Sequence, residues 1–326
     1  MNKLIAILLI ITLFSCSEQP PTNVKLSGPI FGTGFNIQYY SEDNRNYQNQ
    51  IDSLFNIVNQ SLSTYIPNSD ISKLNRNEIT TIDNHFKHVF ESSKVIYRET
   101  EGAFDPTIGN VVNAWNFGAE QNKFLTDSTT IDSLMRYVGF NRVGIKDLTV
   151  KKPKASYLEF NAIAKGYGID VIAEFLDSKD VDNYLVDIGG DLRVSGVNLE
   201  SGKGWTVGID DPNFDGTQSY SKVVVLIDEA MATSGTYRKF KTDEEGNRYA
   251  HIINTRTGYP TKTNILSVSV IAPDCMTADG YATAFQAMGL EKVRDFLYAH
   301  KELKAYFIYE DKENSLQTLN LNDFPE

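Results

Sequence analysis

Between Tyr184 and Ala272 the chain sets strand-like segments one after another with no helical stretch among them. Tyr184–Ile188, Trp205–Ile209, Lys222–Ile227 and Leu266–Ala272 are short, rich in β-branched and aromatic residues, and bounded by Gly, Asp, Asn or Pro. Parallel neighbours would each need a crossover of about a dozen residues, usually a helix, whereas antiparallel neighbours need only a turn. The run therefore predicts the α+β class, a single mixed α/β domain with largely antiparallel sheets, over a doubly wound parallel fold.

Helical spacing surrounds that run. Ile51, Leu54, Phe55, Val58 and Leu62 recur on one face, and Asp83 is placed to cap a second helix carrying Phe86, Val89, Phe90 and Ile96. A third is expected from Ser128 or Thr129 to about Gly139. A fourth holds Ile163, Ile169, Ile172 and Leu176, a fifth runs from about Thr277 to Met288, and a sixth from about Glu291 to Ala299. Phe35–Tyr40 and Ala305–Tyr309 read as further strands. No linker, repeat or low-complexity stretch interrupts residues 24–326, which predicts one domain there.

Lys+Arg number 31 against 42 Asp+Glu, a formal net charge of -11, which excludes a phosphate backbone as the main partner. Lys3 precedes an apolar run from Leu4 to Phe14, too short to span a bilayer and matching a signal-peptide core. Ser15-Cys16 at its end resembles a bacterial lipobox. The expectation is a lipoprotein signal peptide at 1–15, a lipidated Cys16 with a polar, proline-bearing tether at 16–23, and a domain that is exported, anchored to a bacterial membrane and periplasm-facing. Cys275 is then left without a partner, so the fold does not depend on a disulfide. His85 and His88, three apart on a helix, read as a solvated face rather than a metal pair.

Several segments carry chemistry. Asp279 and Thr283 lie four apart on a helix, so a carboxylate and a hydroxyl share one face, hard oxygens suited to Mg²⁺. In Glu159-Phe160-Asn161-Ala162-Ile163-Ala164-Lys165-Gly166 a strand gives way to a helix, whose N–H groups and Lys165 favour an anion, without the spacing of a Walker motif. Asp187-Ile188-Gly189-Gly190-Asp191 reads as a tight turn or a close backbone approach, and Ala232–Arg238 as a hydroxyl-rich loop. His251 is a candidate general base within a turn-rich segment ending at Pro260. Gly102–Thr107 is a post-helix Asp-Pro turn, and Tyr65 is an aromatic beside a turn, suited to stacking or to packing.

Taken in order, Phe31-Gly32-Thr33, Leu62–Asn75, Gly102–Gly118, Ala162–Asp170, Asp187–Gly190, Ala232–Arg238, His251–Pro260 and Asp279–Thr283 resemble the ApbE family of FAD:protein FMN transferases, over about residues 28–296. The resemblance implies an ApbE-like, T-fold-type architecture. It implies Mg²⁺ held by Ala162, Asp279 and Thr283, and FAD, the substrate, contacted by Phe31, Tyr65, Ala103, Phe104, Asp105, Glu159, Lys165 and Ile253. His251 is the expected base, with an Asp near the metal as its competitor, and Ser234 and Thr236 are second-tier contacts. Phe31 stands where the family usually has methionine, Glu159 where it has aspartate, and Asn161 where it has glycine. The implied reaction moves FMN from FAD to a threonine of an acceptor protein, an exported domain of a membrane redox complex, and releases AMP. FAD pyrophosphatase activity and a non-catalytic FAD-binding lipoprotein are the alternatives.

Overall fold

The computed structural model describes residues 20–120, 127–212, 219–236, 240–242, 248–313 and 315–326. The strands are β1 (Thr22–Ile30), β2 (Thr33–Ser41), β3 (Gly144–Lys146), β4 (Thr149–Lys151), β5 (Tyr184–Ile188), β6 (Asp191–Ser195), β7 (Trp205–Asp210), β8 (Tyr220–Leu226), β9 (Ala230–Gly235), β10 (Phe240–Thr242), β11 (Arg248–Ala250), β12 (Ile265–Ala272), β13 (Lys304–Glu310) and β14 (Leu316–Leu321). The helices are α1 (Gln48–Leu62), α2 (Asp70–Asn75), α3 (Asn84–Glu99), α4 (Gly109–Ala114), α5 (Ser128–Met135), α6 (Ala164–Asp177), α7 (Cys275–Met288) and α8 (Leu290–Ala299).

Eight strands form one sheet in the order β1-β2-β5-β6-β9-β12-β13-β14, and each neighbouring pair is antiparallel. The antiparallel expectation from the helix-free run thus holds. The segment around Ala232–Arg238 differs from its sequence reading. Ala230–Gly235 is an interior strand, paired to β6 and β12, and not a loop. Its small residues are what the place requires, because β9 is covered closely by α7. Tyr237 and Arg238 lie outside the described residues.

Strand alternation sends side chains to two faces. On one, Phe35, Ile37, Tyr39, Val186 and Ile188 pack under α1 and α6, while Val268, Val270 and Phe307 pack under α3, α7 and α8. On the other, Tyr40, Leu192, Val194, Met231 and Ile271 are covered by Trp205, Val207, Ile209, Val224 and Leu226 of the β7–β8 hairpin. The order is helices, sheet, hairpin. His85 and His88 of α3 contact α6: His85 Nδ1 lies 2.7 Å from the Tyr167 hydroxyl, and the His88 ring tilts against the same tyrosine.

Two hairpin tips meet beside α6. Phe31 and Gly32 form the β1–β2 turn with φ of 48° and 75°, and Gly189 and Gly190 form the β5–β6 turn with φ of 61° and 92°. Two left-handed residues are what a two-residue hairpin turn demands, which explains Gly-Gly but makes Phe31 a strained choice. Its ring finds its place on α6, where a Cβ at Gly168 would come within 2.7 Å of it, and edge-on to Phe55 at 5.7 Å.

Candidate active site

The site begins where α6 and α7 touch. Asp274 caps α7 by accepting from Thr277 N–H at 2.8 Å. That leaves the N–H groups of Cys275 and Met276, which a helix start cannot bond internally. Both donate to Asp170 of α6, to Oδ1 at 2.9 Å and Oδ2 at 2.7 Å, and Arg193 Nη1 donates to the same Oδ1 at 3.0 Å. Burial lifts the Asp170 carboxyl to about 6, against the pull of these N–H groups and Arg193. The approach of the two helices is close enough to need glycine: a Cβ on Gly166 would lie 2.3 Å from the Cys275 carbonyl oxygen.

One turn into α7, Asp279 turns back onto α6 and accepts from Gly166 N–H at 3.0 Å through Oδ2. In a regular helix that N–H would serve the carbonyl four residues earlier, Ala162. Among the described residues no backbone N–H is donated to the Ala162 oxygen. A buried carboxylate thus replaces a carbonyl in the first turn of α6, and the carbonyl is freed beside it. Lys165 Nζ pairs with Asp191 Oδ2 at 2.6 Å, its side chain 27% exposed and that of Asp191 3%. Asp191 Oδ1 accepts from Thr233 N–H at 3.0 Å. Burial and the nearby Asp191 push the Asp279 carboxyl up to about 7, with Lys165 pulling it down. Burial opposes the charge on Lys165, but Asp191 and Asp279 outweigh it and raise the ammonium above its ordinary range.

Asp170, Asp191 and Arg193 were not singled out as site residues from the sequence. Asp191 and Arg193 stand two apart on β6 and so face the helices together, meeting Lys165 and Asp170. Charges at alternate positions in an otherwise apolar strand were the available signal.

Thr283, four residues beyond Asp279, is half-buried, and among the described residues it makes no back-bond of the kind Thr100 makes to Ile96. Asp279, Thr283 and the Ala162 carbonyl therefore offer oxygens of three kinds at one helix junction. Among the described residues no group of three or more His, Cys, Asp or Glu closes on a metal. A set of one carboxylate, one hydroxyl and one carbonyl, open to substrate oxygens, fits Mg²⁺ better than a metal caged by protein.

The α7 face bearing Asp279 and Thr283 continues to Ala287, which lines a cleft of about 370 Å³ together with Ala103, Thr255, Arg256 and Lys292. Of the other expected contacts, Phe104 is buried in the core and Asp105 is bonded internally. The Asp105 carboxylate takes Thr107 N–H and Oγ1 at 2.8 and 2.6 Å and Phe140 N–H at 3.2 Å, so it braces the turn. Ile253 lies in a small cluster with Ile108, Val111 and Trp115, and Phe117, at its edge, meets the half-buried His251 ring at 6.4 Å. Ser234 and Thr236 sit at the end of β9, Thr236 donating to the Ile265 carbonyl at 3.4 Å.

Tyr65 is 61% exposed and stands within the field of Glu159, which adds to desolvation in pushing its phenol up. Asn161 Nδ2 donates to Glu159 at 3.1 Å. Even so, burial lifts the Glu159 carboxyl to about 7. A carboxyl raised above its ordinary 4.5 contributes stability that is fully present below that value and is lost as the pH climbs through about 7. The parent's urea midpoint should therefore fall more steeply than that of Glu159→Gln between about pH 5 and about pH 8. Parallel slopes would show Glu159 ionising as a solvated carboxyl.

The chain matches the model of the ApbE family over residues 31–307. It is 35% identical over 300 residues to a FAD:protein FMN transferase of Vibrio cholerae, covering 89% of each chain. It is 32% identical over 343 residues to one of Haemophilus influenzae, covering 99% of this chain and 96% of the relative. Its fold superposes on the solved flavin transferase ApbE from Vibrio cholerae with a TM-score of 0.84 at 32% identity, over 94% of this chain and 99% of that one.

Proposed function

The chain belongs to the ApbE family and is an enzyme of flavin transfer, and from that premise we propose that it moves the FMN half of FAD onto a threonine hydroxyl of an acceptor protein, with Mg²⁺ at Ala162, Asp279 and Thr283. The observation that carries this is the junction of α6 and α7, where Asp279 takes the Gly166 N–H and frees the Ala162 carbonyl. When bound, Mg²⁺ would neutralise charge on the pyrophosphate oxygens. Lys165, held by Asp191, places a positive charge beside the same oxygens. On this reading the cleft between Ala287 and Ala103 would take part of FAD, and Tyr65 and Glu159 would border its flavin.

In the reaction, the threonine oxygen forms a bond to the phosphorus on the FMN side and the bond to the bridging oxygen breaks. AMP departs with that oxygen, and the threonine proton passes to a base. His251 is the group we assign to that proton, because it is half-buried and next to the Ile253 cluster. His251→Ala should slow transfer by roughly 10²–10⁴-fold while FAD binding is kept. A variant that retains the parental rate across about pH 6–9 would remove His251 from this role.

The protein is also proposed to be exported and tethered to a bacterial membrane through lipid on Cys16, a residue outside the described ones. Support comes from the charge, apolar run and small residue ahead of it. No described helix is long and apolar enough to cross a membrane.

The test is to incubate the protein with FAD and Mg²⁺, with and without a threonine-bearing acceptor, and to follow AMP and acceptor mass. AMP release matched by an FMN-sized gain on the acceptor supports the proposal. AMP without an acceptor would make it a pyrophosphatase, and no AMP in either tube a flavin carrier.

A further inference from the structure

The hairpin layer presents an apolar outer surface. Val224 and Leu226 of β8 point into the core, whereas Val223, Val225 and the following Ile227 point outward and are about half exposed. Val223-Val224-Val225-Leu226-Ile227 is apolar at every position. Such a run belongs to a strand covered on both faces, and here only one is covered among the described residues. Opposite these side chains β7 and its approach carry small residues, Gly204, Thr206 beside Val225, and Gly208 beside Val223. A Cβ on Gly204 would lie 2.6 Å from Ile227 Cγ1, and one on Gly208 would lie 2.5 Å from the Tyr220 ring. Ile227 and Tyr220 therefore lie flat across the neighbouring strand, and the result is a smooth apolar face.

The chain enters the fold at the rim of this face. Asn23, the second residue of β1, donates through Nδ2 to Glu200 Oε1 at 2.6 Å, and Glu200 is four residues before Gly204. Six residues lie between Cys16 and Asn23, seven Cα–Cα steps with a reach of at most about 25 Å when extended. A polar, proline-bearing segment of that length limits distance but not orientation. A large exposed apolar face marks a protein or membrane contact. Its place beside the tether selects the membrane. The elements of the transfer site, α6 and α7, lie on the far side of the sheet.

We propose that the outer face of the β7–β8 hairpin, formed by Tyr220, Val223, Val225 and Ile227, lies on the lipid bilayer that holds the anchor and turns the transfer site away from it. The proposal rests on the lipid-anchor reading of Cys16. Its test uses the full lipidated chain in phospholipid vesicles, with a fluorophore on Val225→Cys or on Tyr298→Cys of α8, which is exposed in the helix layer. Cys275 is buried and Cys16 is acylated, so each label reports one position.

Quenching by nitroxide-bearing lipid should be stronger at 225 than at 298, on the order of twofold or more for a face seated in the headgroup boundary. Adding Val223→Ser and Ile227→Ser should remove the contrast and leave the rate of AMP release unchanged. Equal quenching at both positions in a chain that still floats with vesicles would overturn the docking and leave the anchor standing. A chain that does not float would overturn both. Protection of 225 that follows protein concentration or added acceptor, without vesicles, would assign the face to a protein and overturn the membrane.

Discussion

Asp279→Asn should reduce FMN transfer by on the order of 10³-fold or more, since a metal's charge stabilisation is worth several kcal/mol and about 1.4 kcal/mol is tenfold in rate. Asparagine keeps an oxygen for the Gly166 N–H, which in the parent is 3.0 Å from Oδ2, so the α6–α7 junction should survive. What disappears is the negative charge that a hard cation requires. Asp279→Ala should lose the same activity and in addition about 1–3 kcal/mol of stability, because the buried Gly166 N–H is then left unpaired. AMP release at saturating Mg²⁺, beside a urea melt of each variant, separates the two effects. An asparagine variant within about tenfold of the parent would sink the metal assignment.

Asp170→Ala should destabilise the protein by about 3–5 kcal/mol, the cost of removing one partner from a buried ion pair. The carboxylate satisfies the first two N–H groups of α7 and ties α6 to Arg193 of β6, so three donors lose their acceptor together. Urea denaturation at neutral pH reads the loss. Arg193→Ala made in the Asp170→Ala background should cost clearly less than in the parent, because its charge partner is already gone. Additive losses would show that Asp170 acts through α7 alone. A loss below about 1 kcal/mol would mean that α7 docks without this carboxylate.

Much of the scaffold was legible locally. Asp83, expected as a cap, accepts from Phe86 N–H, and the periodic apolar residues after it do bury one face of α3. Tyr184–Ile188 pairs at the bounds its β-branched and aromatic content suggested. The fifth helix starts at Cys275 rather than near Thr277 because Asp274 caps it. β9 was misread because Ala, Thr, Ser and Gly signal a turn by composition, while its strand character comes from being clamped between β6 and β12 under α7. Strand β1, with Gly28 and Pro29 near its end, carries a pattern suited to an edge and gave little signal. At the site, Asp279, Thr283 and Lys165 stood out by spacing or by place at a helix start. Asp191, Asp170 and Arg193 acquire meaning only through partners on other elements, which spacing along one segment does not reveal.

The Asp279–Gly166 bond joins positions 113 residues apart, and the bonds from Asp170 to α7 join positions 105 and 106 apart. A nascent chain that has emerged only as far as β9 already holds Lys165 and Asp191, but it has neither Asp279 nor Thr283. Contacts of such long sequence separation form late, after much loop entropy has been lost. The α6–α7 junction therefore has no partial form on an incomplete chain. Any ligand held at that junction would bind only the finished fold, and its occupancy would draw the folding equilibrium toward completion of α7.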